Sequence, residues 1–157
     1  MRIKYLVTLL ILYSSFGSAE TLLKVFYSEK LVLPDSCYFI ARGGTENDFT
    51  CLNSTDPFRS ISFPLVDKVE ESISQSKIEE LNENAKTENM DFSFEPVITA
   101  VIDKRKHYLS VWELAGKSHQ SYTICDHRSC VKISAMELDF VRNIVEQFST
   151  KTIYDLE

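Results

Sequence analysis

Short runs of alternating or continuous apolar residues, broken by turn formers, dominate the first half of the chain. "TLLKVFY", "CYFIAR", "DFTCL" and "RSISF" read as strands. Gly43-Gly44 and Asn47-Asp48 between the second and third tolerate the positive φ angles of hairpin loops, which predicts a β-hairpin from Cys37 to Leu52. From Leu65 to about Ala85 the period changes. Leu65, Val66, Val69, Ile73, Ile78 and Leu81 recur at helical spacing among acids and amides, giving one helix or two short ones. Ser76 and Glu79 have the spacing of a capping box that would restart the second. "NENAKTENMD" follows without periodicity and reads as an exposed loop.

Strand character returns in "FSFEPVITAVID", "HYLSVWEL" and "HQSYTICD", dense in β-branched and aromatic residues. The turns between them, Lys104-Arg105-Lys106 and Ala115-Gly116-Lys117-Ser118, are too short for parallel crossovers, so three antiparallel strands are expected. Pro96 belongs at a strand end or on an edge. In "SAMELDFVRNIVEQF", Ser134 and Glu137 have capping-box spacing, and Leu138, Val141, Val145 and Phe148 fall on one helical face. The pattern predicts an α+β fold: an antiparallel sheet of hairpins and a three-strand meander packed against a C-terminal amphipathic helix, with a middle helical segment.

The N-terminus changes where this fold is expected to work. Arg2 and Lys4 precede an apolar run from Tyr5 to Tyr13, which gives way to Gly17-Ser18-Ala19. This is the pattern of a signal peptide over residues 1–19, and its apolar core is about half of the roughly 20 residues that span a bilayer. Residues 20–157 are then a single secreted or periplasmic domain, long enough to bury about two-thirds of its unfolded surface and without stable membrane insertion. Cleavage removes two cations and no acid, taking the net charge from −6 to −8. Such a charge repels phosphate backbones and anionic lipid, which argues against nucleic acid, and favours encounter with a basic protein partner.

Export also decides the cysteines. In an oxidising compartment four are expected to pair, and proximity joins Cys37 with Cys51 across the hairpin and Cys125 with Cys130. By chain entropy these bridges contribute roughly 3 and 2 kcal/mol. Structural zinc uses ligand pairs about two to four residues apart, whereas these pairs are separated by four and thirteen, so neither metal nor any other cofactor is expected. Cys125 and His127 point to opposite sides of an extended chain, which disfavours a catalytic thiolate, and the CxxC spacing of redox centres is absent.

What remains of "CDHRSC" is a clamped loop presenting Asp126, His127, Arg128 and Ser129, pre-ordered and so less costly to bind through. These four are the candidate binding residues; the alternative is a bridge that only tidies a turn. A cysteine-closed loop carrying a histidine resembles the inhibitory loop of Ivy-type periplasmic lysozyme inhibitors. That resemblance spans six residues, with a different order inside the loop and different flanks, and transfers no residue roles.

Other constellations add little chemistry. His107 and His119 fall at predicted strand starts and read as half-exposed strand-end residues. No GxSxG, HExxH, P-loop or dinucleotide fingerprint occurs, and Glu70-Glu71 and Glu79-Glu80 read as solvated helix faces. Asn53 heads an N-glycosylation sequon. Tyr38, Phe39, Phe49, Phe58 and Phe63 are core candidates, while Tyr108, Trp112 and Tyr122 share strands that can leave one face exposed.

The expected function is therefore an exported, disulfide-stabilised, non-catalytic binding protein, a periplasmic inhibitor or immunity protein that masks a toxin or hydrolase. The alternatives are a small periplasmic hydrolase or thiol–disulfide enzyme centred on Cys125, His127 and Cys130, and a structural subunit of an envelope assembly.

Overall fold

The computed structural model describes residues 22–26, 29–33, 37–41, 47–51, 56 and 59–156, with the backbone alone for 22–25, 38–41 and 47–51. The first half supplies β1 (Leu22–Val25), β2 (Glu29–Val32), β3 (Cys37–Ala41), β4 (Asn47–Cys51) and β5 (Ser60–Ser62). Two helices follow, α1 (Val66–Ser72) and α2 (Gln75–Thr87). The second half supplies β6 (Phe92–Phe94), β7 (Ile98–Ile102), β8 (Arg105–Leu114), β9 (Lys117–Cys125), β10 (Cys130–Ala135) and α3 (Leu138–Val145), then a short 3-10 turn at Ile153–Asp155. The fold is α+β. The main sheet is antiparallel with order β3-β4-β5-β10-β9-β8-β6, β7 pairing beside β6 on β8, and β1–β2 form a separate ribbon. The expected export segment 1–19, the Gly43-Gly44 turn, Asn53 and Phe58 lie outside the described residues, as do the side chains of Tyr38, Phe39 and Phe49.

Two tight turns fix the register of the second half. Asp103 and Lys104 have φ of 50° and 66°, Ala115 and Gly116 φ of 51° and 70°. Positive φ at both central residues matches the twist of the flanking strands, as in type I′ hairpins. Arg105 and Lys106, expected in a turn, are thereby drawn into β8 opposite Ile102 and Val101. The run Phe92–Asp103, expected as one strand, is two: β6 pairs with the end of β8 and β7 with its beginning. Pro96, which has no N–H to donate, lies in the gap between them.

α3 packs against β9 and β10 and buries Phe140, Val141, Ile144 and Val145. Their counterparts in the sheet are Ile61, Leu109, Tyr122, Ile124, Val131 and Ile133. Leu138, expected on this face with Val141 and Val145, is instead exposed at the first residue of the helix. The ribbon adds Phe26, Leu31 and Leu33 to the same core. Gln147 fastens it, its side chain accepting the Val32 N–H at 2.8 Å and donating to the Val32 carbonyl at 3.1 Å. Arg105 braces the ribbon from the other side, bonded to Glu29 at 3.0 Å and lying 4.3 Å over the Phe26 ring.

Three expectations about helix ends change. Ser134 does not cap α3: β10 continues through Ala135, Ser134 bonds Ser121 at 2.6 Å, and Glu137, paired with Arg59, stands at the N-cap position. Ser76 does not cap α2, which starts one residue earlier behind Ser74. The segment Asn82–Thr87, expected as loop, is helical. Asn82 explains why: its amide accepts the Phe94 N–H at 2.8 Å and donates to the Phe94 carbonyl at 3.0 Å, standing in for a strand neighbour. Ala85 is buried one turn on, and Asn89, with φ 53°, ends the helix in the left-handed conformation.

Candidate functional site

The loop Cys125–Cys130 closes the β9–β10 hairpin. Cys125 and Cys130 face each other directly in register, with Cα atoms 4.1 Å apart, and are joined by a disulfide. Each is only 1 % exposed, covered by Val66, Val69 and Ile73 of the α1 region together with Val97 and Tyr108. Cys37 is likewise disulfide-bonded and stands directly opposite Cys51 in the β3–β4 register.

The four candidate residues inside the loop divide by role. Asp126 turns inward: its Oδ1 accepts the N–H groups of Arg128 and Ser129, both at 2.7 Å, and the Ser129 hydroxyl at 3.3 Å. Its own N–H donates to the Ser129 carbonyl at 3.0 Å. Burial pushes the Asp126 carboxyl up, but these donors and nearby His127 outweigh it and hold the group below the ordinary carboxylate range. Asp126 and Ser129 are half-buried parts of the turn, contrary to their expected presentation to solvent, because an Asx-type turn consumes both side chains. His127 and Arg128 are the exposed pair at its tip.

His107 and His119, expected half-exposed at strand ends, are both buried. The strands are longer than the sequence pattern suggests, so each histidine lies inside the sheet. They occupy opposite faces, which separates them. His107 lies on the α3 side with Nδ1 2.9 Å from the Tyr122 hydroxyl. His119 lies on the other side, stacked at 5.6 Å on Trp112, which stacks at 5.9 Å on Phe94.

That second face carries a pattern the sequence reading missed. In register across four strands stand Ser60, Ser134, Ser121 and Ser110, and beside them Ser62, Lys132, Thr123 and Tyr108. The ring row Phe94, Trp112, His119 comes next. Where α3 meets an apolar face, α1 and α2 meet one of hydroxyls, and oxygen-bearing side chains leave space where aliphatic ones would interlock. Two adjoining cavities result, of 310 Å³ and 160 Å³, sharing Ser72, Ile73, Ser110 and Lys132 as walls. The available signal was strict alternation: "SIS", "YLSVW", "SYT" and "KIS" put a polar or aromatic residue at every second position with an aliphatic or aromatic one between.

No helix among the described residues is long and apolar enough to cross a membrane. Compared with known proteins, the chain matches no protein-family model and no curated protein sequence.

Proposed function

We propose that this protein is an exported, non-catalytic binding protein that recognises another protein through the tip of the Cys125–Cys130 loop, as a periplasmic inhibitor or immunity protein does. One observation carries the reading: a disulfide at the base and the Asp126 turn inside it hold His127 and Arg128 in one exposed arrangement before any partner arrives. A loop ordered in advance loses less entropy on contact. Burial of both sulfur atoms supports a structural bridge rather than an exchanging one, since thiol–disulfide exchange needs access for an attacking thiolate. The acidic surface of α1 and α2 would steer a basic partner, although Lys68, Lys77 and Lys106 already pair with Glu71, Glu80 and Glu70 and soften that field.

The test is affinity capture from the native envelope with the mature chain and with a His127→Ala/Arg128→Glu variant of equal stability. One protein retained stoichiometrically by the first and lost by the second is the expected result. Equal retention by both, or no stoichiometric protein at all, overturns the proposal.

A further inference from the structure

The hydroxyl-lined cleft under α1 and α2 lies on the same sheet face as the disulfide and is not used by the loop. Ser110 and Thr123 are 7 % and 5 % exposed, and among the described residues neither hydroxyl has a hydrogen-bond partner. Both line the cleft, so their hydroxyls can turn to a ligand oxygen placed between them. Lys132, in register with Thr123, lines both cavities and brings a positive charge. Its three N–H donors leave room for a ligand oxygen beside its contacts within the protein. Lys68, paired with Glu71, lines the smaller cavity, and no described residue lining either one is a carboxylate, so the Lys132 charge favours an anion there.

The larger cavity supplies the other half of the recognition. Away from Ser110 and Lys132 its walls are Ile73, Leu81, Phe92, Phe94 and Trp112. At 310 Å³ it sits at the small end of ligand pockets, which are mostly apolar with a few convergent polar groups. We propose that this cleft binds a small monocarboxylate with an aromatic body, its carboxylate held by Lys132, Ser110 and Thr123 and its ring lying against Trp112 and Phe94. A doubly charged phosphate fits less well, since it would bring more charge than Lys132 answers and lacks a body to fill the apolar walls.

Trp112 is the only tryptophan in the chain and lines the cleft, so its fluorescence reports occupancy directly. The mature protein is titrated with 3-phenylpropanoate and, separately, with the uncharged 3-phenylpropanamide. The expected result is a saturable change with the acid and affinity at least about tenfold weaker for the amide, the size of one charge-assisted hydrogen bond. Lys132→Gln should weaken the acid about tenfold and bring it level with the amide. Absence of saturation up to about 10 mM acid, which leaves only a hydrated cleft, overturns the proposal. So does equal affinity for acid and amide, a comparison made on the unaltered protein and therefore independent of how any variant folds.

Discussion

The Nδ1 atom of His107 lies 2.9 Å from the hydroxyl of Tyr122, and that hydroxyl accepts the Ile153 N–H at 2.8 Å. The Tyr122 hydroxyl thus links the His107 ring to the Ile153 backbone, while Nε2 of His107 is buried without a hydrogen-bond partner among the described residues. This buried chain ties the C-terminal turn to the middle of the sheet. Thr152 and Asp155 complete the anchorage through a reciprocal capping box.

Acid should release this anchorage. Burial, helped by the Arg105 charge, lowers His107 from 6.5 to about 4. A histidine held neutral in the folded state and free to protonate in the unfolded one contributes stability that is fully present above pH 6.5. That contribution falls away as the pH drops from 6.5 toward 4. The span corresponds to about 3 kcal/mol at most. Urea unfolding from pH 7.5 to 4.5 should show the decline, and His107→Leu should flatten it.

Tyr122→Phe removes one atom and strands two groups, the Ile153 N–H and the His107 ring nitrogen. A loss of about 2–3 kcal/mol is expected, because both remain buried without a partner. Amide exchange at Ile153 should accelerate more than exchange in the centre of β9.

Ala115 pays for the β8–β9 turn with a left-handed φ of 51°. Asparagine tolerates that region better, and Asn-Gly is the favoured pair for a type I′ turn. Ala115→Asn should stabilise the protein by about 0.5–1 kcal/mol, read as a higher midpoint in thermal unfolding.

Replacing Cys125 and Cys130 together by serine reopens a six-residue ring. Chain entropy predicts a loss of about 2 kcal/mol in chemical denaturation. Asp126→Ala leaves the bridge but removes the acceptor of two N–H groups, at a cost of about 1 kcal/mol. Under the proposed function both should weaken capture of the partner, the second more than its effect on stability explains.

Periodicity made the long elements legible. The helical spacing of Val141 and Val145 and the β-branched runs of β8 and β9 are strong local signals, and Cys125 and Cys130 pair as their spacing implies. What escaped depended on tertiary contact. Asn82 holds helix where polarity suggested loop, because its amide binds β6, twelve residues away. β10 escaped because Ser134 has capping-box spacing with Glu137 and reads as the start of α3, and the segment becomes a strand because β5 and β9 flank it. The cleft was unreadable because its hydroxyls come from four strands, and only the register brings Ser60, Ser134, Ser121 and Ser110 into one row.

Along β8, β9 and β10 neighbouring residues answer to different demands. Leu109, Tyr122, Ile124 and Ile133 belong to the core that α3 helps to close, so replacing any of them disturbs the packing that keeps the chain folded. Ser110, Thr123 and Lys132 stand one position away and line the cleft instead. An exchange on the α3 side therefore threatens folding, an exchange on the other side alters what the cleft can hold, and the two consequences alternate at every second residue.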